Sequence, residues 1–271
     1  MTLPVAFQLV VVTLIWQTPN TSSFMRREGT PVDYQFVSID HISRHMIASA
    51  IAHEDVDYGE RFLAFDVSTF IERANAYRNG EDDLGGSTIP QQLVKNMFLS
   101  PDKTWWRKGV EAYMSTDFVL TMSDARIMEL YLNYAQFAPK LYGICAASWY
   151  YFNTPPWYMS AEESALLASI LPLPSIVERG AGGGLYINAQ INPKTAEKVR
   201  KDSLEGIPAN IAFMGGWEGV AGQIGIKDSA TDHVEERDDD SCSTMPTSVA
   251  ERLWVEDPQF MATHDPTIAG R

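Results

Sequence analysis

Along the first 180 residues, apolar positions recur mostly with a helical period. The chain opens on LPVAFQLVVVTLIW, residues 3–16, apolar apart from Gln8 and Thr13. That run is short of the roughly 20 residues a membrane-spanning helix needs. It has no basic leader and no small-x-small cleavage site, so it fits a cleaved signal peptide poorly. A buried N-terminal helix is one expectation and a short membrane anchor over residues 1–19 the other. QTPNTSS, residues 17–23, reads as a turn cluster. From about residue 40, Ile42, His45, Met46, Ser49 and Ala50 fall at helical spacings and lead into Ala52-His53-Glu54-Asp55. Phe62–Tyr77 is a second helical candidate, with Phe62, Phe65, Phe70 and Ala74 apolar, followed by a polar loop at 78–83.

Thr88-Ile89-Pro90-Gln91 fits a capping box, with Thr at the N-cap and Gln three residues on. Proline is tolerated in a first helical turn, so a helix from Ile89 to about Leu99 is expected, stopped by Ser100-Pro101-Asp102. Trp105–Thr121 and Ala125–Tyr134 read as further helices, the latter with Ile127, Leu130, Tyr131 and Tyr134 on one face. Ser160-Ala161-Glu162-Glu163 is a second capping box, opening a helix that ends at Pro172 and Pro174. The expected class is therefore mostly α. Gly182-Gly183-Gly184 reads as a flexible break, periodicity is weak beyond about residue 205, and residues 185–271 are expected to be a poorly ordered or loosely packed acidic extension.

Composition sharpens this picture. The 271 residues suffice for one large or two small domains, and 45% apolar content supports a sizeable core. The net charge of −14 argues against nucleic-acid binding. Residues 201–271 carry 14 acidic and 5 basic residues, most of that excess. Cys145 and Cys242 lie far apart and show no metal spacing; the expectation is two free thiols, a disulfide being open but not indicated.

Three clusters could carry chemistry. Glu54-Asp55 ends an apolar helix, where desolvation can raise a carboxyl toward acid/base use; as plain structure it is a solvated helix end. In GGSTIPQQLVKN, residues 85–96, Gln92, Lys95 and Asn96 converge on one helix face. The free N–H groups of the preceding turn favour an anion. A capped surface helix explains the same pattern. Arg107, Lys108 and Glu111 fall at i, i+3 and i+4 spacings, which suits a phosphate group or a surface ion-pair network. Together these offer an acid, an anion cradle and a cation cluster, suited to transferring a group away from a pyrophosphate.

These residues carry a resemblance. HED at 53–55, GGSTIPQQLVKNMFLS at 85–100, RKGVE at 107–111 and ARIMELYLN at 125–133 resemble the peptidoglycan glycosyltransferases, glycosyltransferase family 51. YGICAASWYYF at 142–152 and SAEESALLASILPLP at 160–174 match as well. The likeness is strongest to the monofunctional biosynthetic transglycosylases and covers roughly residues 20–180, with the catalytic domain placed at 20–184. It implies a lysozyme-like α-helical domain on the periplasmic side of the inner membrane, polymerising lipid II into glycan strands. Carried over residue by residue, Glu54 would be the general base and Glu111 the second essential carboxylate. Lys95, Arg107 and Lys108 would hold the pyrophosphate. Ser87, Thr88, Gln92 and Asn96 would line the donor site, and Asp55 would support Glu54. The implied partners are lipid II, the growing strand, the membrane and other cell-wall synthesis proteins. No cofactor is required, although a divalent cation (Mg2+ or Mn2+) assists some members. The chain departs from the family pattern at Tyr58, Arg61, Leu63, Leu84, Pro90 and Gln136. Those departures keep open a non-catalytic glycan-binding relative. A lysozyme-like glycan-cleaving enzyme is the other alternative, though it needs no pyrophosphate cradle.

Overall fold

A computed structural model describes residues 3–68, 71–72, 86–99, 105–171, 173–227 and 242–264. The described part is mostly α. Helix α1 spans Leu3–Leu14, α2 Ser23–Glu28 and α3 Arg44–Glu54. They are followed by α4 (Ile89–Phe98), α5 (Trp105–Thr121) and α6 (Asp124–Tyr134). Two short antiparallel strands, β1 (Gln136–Ala138) and β2 (Leu141–Tyr142), lead to α7 (Ile144–Phe152) and α8 (Ala161–Ser169). A second small hairpin pairs β3 (Glu178–Arg179) with β4 (Leu185–Tyr186).

Helix α3 is the axis of the core. Met46 to Ala52 are buried all round, as expected of a helix enclosed by others. It packs against α8 on one side and against C-terminal helices on another. Even Arg44 is buried, its Nη1 donating to the Ile39 and Ile42 carbonyls at 2.8 and 3.1 Å. Both expected capping boxes are present, at Thr88/Gln91 and Ser160/Glu163. In α6, Asn133 is fully buried and brackets Val37, accepting from its N–H at 2.9 Å and donating to its carbonyl at 2.8 Å.

α1 is half buried. Val11 and Leu14 enter the core, and Phe7 stacks among Phe98, Tyr113 and Phe118, while Val5, Leu9 and Val10 face outward. Arg126 closes its C-terminal end, donating to the Leu14 and Gln17 carbonyls at 2.8 and 3.1 Å. Among the described residues no helix is long and apolar enough to cross a membrane.

The structure corrects three expectations. First, the expected Phe62–Tyr77 helix begins late: residues 62–66 form a bent stretch whose Ala64 carbonyl accepts from the Thr88 hydroxyl at 2.6 Å, and the described residues 67–68 and 71–72 are helical. Phe70 and residues 73–77 lie outside the described residues, as does Leu84. Second, Cys145 and Cys242 form a disulfide, because the chain returns across α7 after a separation of 97 residues. Third, the described residues of the C-terminal part, 185–227 and 242–264, are packed, not loose. Helices α9 (Pro193–Lys201) and α10 (Ile207–Phe213) are joined through a π-helical turn, Asp202–Gly206. Then come α11 (Gly216–Gln223), α12 (Thr247–Glu256) and α13 (Pro258–His264). Val199, Ile207, Val220, Val249, Leu253 and Phe260 reach the core. Arg252 bonds Asp33 at 3.0 Å and covers the Tyr150 ring, tying α12 to the front of the chain.

Candidate active site

The last residue of α3 is Glu54, and its carboxylate is about nine-tenths buried. One oxygen accepts from the Gln92 amide at 2.6 Å; the other lies 2.8 Å from His53 Nδ1. Gln92 stands on the second turn of α4, and its Nε2 also donates to the Ser87 carbonyl at 2.9 Å. The Tyr131 hydroxyl donates to Gln92 Oε1 at 3.3 Å, which fixes which end of the amide faces Glu54. Burial holds Tyr131 well above its ordinary value, with Glu54 and Asp55 adding to the effect, so the phenol keeps its proton and remains a donor.

From Ser87 the network crosses to α5. Lys108 Nζ donates to the Ser87 hydroxyl at 3.4 Å and to Glu111 Oε1 at 2.9 Å. Glu111 is fully buried, and its Oε2 has no hydrogen-bond partner among the described residues. Thus Gln92, Ser87 and Lys108 connect the two glutamates, which are 57 positions apart in sequence. Lys95 feels both. Burial pushes its ammonium below the ordinary 10.5; Glu111 opposes this, Lys108 and Arg107 add to it, and Glu54 opposes it. Arg107 is buried at 8% exposure. Asn96, one turn beyond Gln92, shares its helix face and is half-buried.

Two expected site residues point elsewhere. Asp55 accepts from Arg61 Nη2 at 2.5 Å and from the Ile89 N–H at 3.0 Å, so it caps the start of α4. Thr88 binds the Ala64 carbonyl and completes the capping box. Both hold the loop against α4. Arg61, a departure from the family pattern, is therefore the partner of Asp55. Gln136 is remote from this network; it donates to Glu28 at 3.0 Å, beside Tyr142. Tyr58 is buried, with its hydroxyl donating to the Asp124 carbonyl at 2.8 Å.

His53, Tyr131, Asp202 and Asn210 are contributors that the sequence analysis did not place in the site. His53 stands in the HED motif and Tyr131 in ARIMELYLN, so each could have been suspected. Asp202 and Asn210 carry no local signal. Among the described residues, no three His, Cys, Asp or Glu side chains gather in a metal-binding group. Glu111 instead faces Lys108, with Lys95 and Arg107 nearby. That donor set does not fit a protein-held divalent cation.

Comparison with known proteins gives this helical domain its family. The transglycosylase family model matches residues 21–200, and the chain belongs to that family. Among its relatives is a biosynthetic peptidoglycan transglycosylase of Shewanella frigidimarina, 40% identical over 156 residues, or 58% of this chain and 69% of that protein. Another, from Shewanella amazonensis, is 40% identical over 181 residues, covering 66% and 67%. A third, from Pectobacterium carotovorum, is 35% identical over 190 residues, covering 69% and 75%.

Proposed function

We propose that this protein is a peptidoglycan glycosyltransferase that polymerises lipid II. The observation that carries the reading is the connected set Glu54–Gln92–Ser87–Lys108–Glu111, with half-buried Lys95 within the field of both carboxylates. Glu54 is the general base. It takes the proton from the acceptor sugar's 4-hydroxyl as that oxygen attacks the donor's anomeric carbon, inverting it, and undecaprenyl pyrophosphate leaves. Lys95, Arg107 and Lys108 balance the charge gathering on the pyrophosphate, in a site where burial strengthens the attraction. Glu111 orients Lys108. Ser87, Gln92 and Asn96 line the donor side, and Asp55 and Thr88 act at one remove by fixing α4.

The setting of the reaction is the cell envelope, at the inner membrane. The Cys145–Cys242 disulfide supports this, because such bonds persist in oxidising compartments. A stripe of exposed apolar side chains on α5, Trp106, Val110, Tyr113 and Leu120, lies beside the outward face of α1. It supports seating on the bilayer surface, where the lipid tails of donor and acceptor reside. An anchoring role for residues 1–19 at the bilayer surface, the lysozyme-like class of the domain, and contact with other cell-wall synthesis proteins belong to the same proposal.

The test is incubation with labelled lipid II. Long glycan products support the reading, and Glu54→Gln should lower the rate by about 10²–10⁴-fold while leaving the melting temperature near that of the parent. Lipid II bound but never polymerised would turn the reading toward a non-catalytic binder. Soluble fragments released from finished peptidoglycan would turn it toward a glycan-cleaving enzyme.

A further inference from the structure

The C-terminal segment reaches the general base. His53 Nδ1 lies 2.8 Å from Glu54, and the other ring nitrogen, Nε2, lies 3.5 Å from Asp202 Oδ2. Both His53 and Glu54 are about nine-tenths buried, and Asp202 is three-quarters buried. Asp202 sits on the π-helical turn between α9 and α10, an irregularity that re-aims side chains and recurs at functional sites. One turn after that bulge, Asn210 Nδ2 donates to the Ala52 carbonyl at 2.8 Å, at the end of α3 that carries Glu54. Burial pushes the Asp202 carboxyl up. Lys198 and His53 outweigh that and hold it below 3.8, so it faces the imidazole as an anion. Asp202 lies beyond residues 21–200, the stretch matched by the family model.

Resting on the glycosyltransferase reading, we infer that Asp202 is a positioning residue for the general base, acting through His53. Carboxylate oxygens only accept, so the two contacts of His53 are both hydrogen bonds only when both ring nitrogens carry protons. With Asp202 on Nε2, the ring cannot turn away, and Nδ1 is presented to Glu54 Oε1. Gln92 holds the opposite oxygen. Glu54 is then fixed from both sides before the acceptor hydroxyl arrives, and orientation of this kind is what a proton-transfer step needs. The groups facing the imidazole are Glu54 from α3 and Asp202 from the π turn, with Lys198 Nζ donating to the same Asp202 oxygen, Oδ2, and so fixing it in place.

Two measurements on the full chain test this. The first is the ¹⁵N NMR signature of the His53 ring. Asp202→Ala should shift the Nε2 and Nδ1 signals, whereas Glu197→Gln, an exposed change on α9 at a side chain paired with Arg200, should leave them in place. Unchanged His53 signals in Asp202→Ala, or an equal shift in Glu197→Gln, would overturn the inference whether or not the protein polymerises lipid II. The second is kinetic. Asp202→Ala should lower kcat roughly tenfold with KM for lipid II within about twofold. In a His53→Asn background the same change should have no further effect, because the path to Glu54 is already cut. A persisting effect in that background would mean that Asp202 acts through helix packing, and the inference fails. If the parent makes no glycan, the functional reading fails, while the ring signals still judge the positioning.

Discussion

At Lys95, burial and the neighbouring cations work against the ammonium charge, and the two glutamates only partly offset them. The sign follows. A lysine depressed below 10.5 is charged under its folded value and neutral above it, and a pyrophosphate favours the charged form. Lipid pyrophosphate binding should therefore weaken as pH rises through the lowered Lys95 value, before free lysines lose their charge. Affinity measured between neutral and alkaline pH checks this. Lys95→Met should bind more weakly at neutral pH and should lack that alkaline fall. A fall of equal size in the variant would mean that another group is titrating. Glu111 works differently. It is fully buried, so its charge is tolerable only beside Lys108 and its cationic neighbours. Both residues stand within motifs that a single sequence displays openly, because each motif lies on one helix and needs only local spacing to be read.

Among the elements, α4 shows how a loop and a helix are locked together. Asp55 is the C-cap of α3, yet it accepts from the first N–H of α4 and from Arg61, and its carboxylate is almost fully buried. Asp55→Ala would leave that N–H unsatisfied and Arg61 without its partner. The expected cost is about 2–4 kcal/mol, read as a lower midpoint in denaturant unfolding. Activity should also drop, since α4 carries Gln92 and Lys95. The helices themselves were largely legible. The capping boxes marked the starts of α4 and α8, and the apolar spacing set α5 and α6 to within a residue. Contacts between distant segments were not legible. Asp55 meets Ile89 across 34 positions and His53 meets Asp202 across 149, and neither separation leaves a periodic trace. Helices α9 to α13 were missed for a related reason. Each is short and buries only a few side chains, so its pattern is weak until the core it covers is known.

For the whole molecule, the disulfide and the exposed apolar stripe each make a prediction. Cys145–Cys242 closes a loop of about 97 residues, long enough that the bond should stabilise the fold by about 3–5 kcal/mol. Cys145→Ser, or reduction of the parent, should lower Tm by roughly 10 °C, read by thermal unfolding followed by circular dichroism. Membrane seating can be separated from charge attraction, because the two respond oppositely to salt. The net charge of −14 repels an anionic lipid surface, so any binding must come from apolar burial. Trp106 and Leu120 are 57% and 60% exposed on the α5 stripe, and covering each such side chain contributes about 1–2 kcal/mol. The parent should therefore co-sediment with vesicles containing anionic lipid, and more of it should do so as salt rises and repulsion is screened. Trp106→Glu combined with Leu120→Glu should lower that binding by at least tenfold, since each change removes apolar area and adds a repelled charge. Polymerisation should survive in detergent, because neither residue touches the glutamate–lysine network. Binding that falls as salt rises, or that survives the double substitution, would place the membrane contact somewhere other than the α1–α5 face.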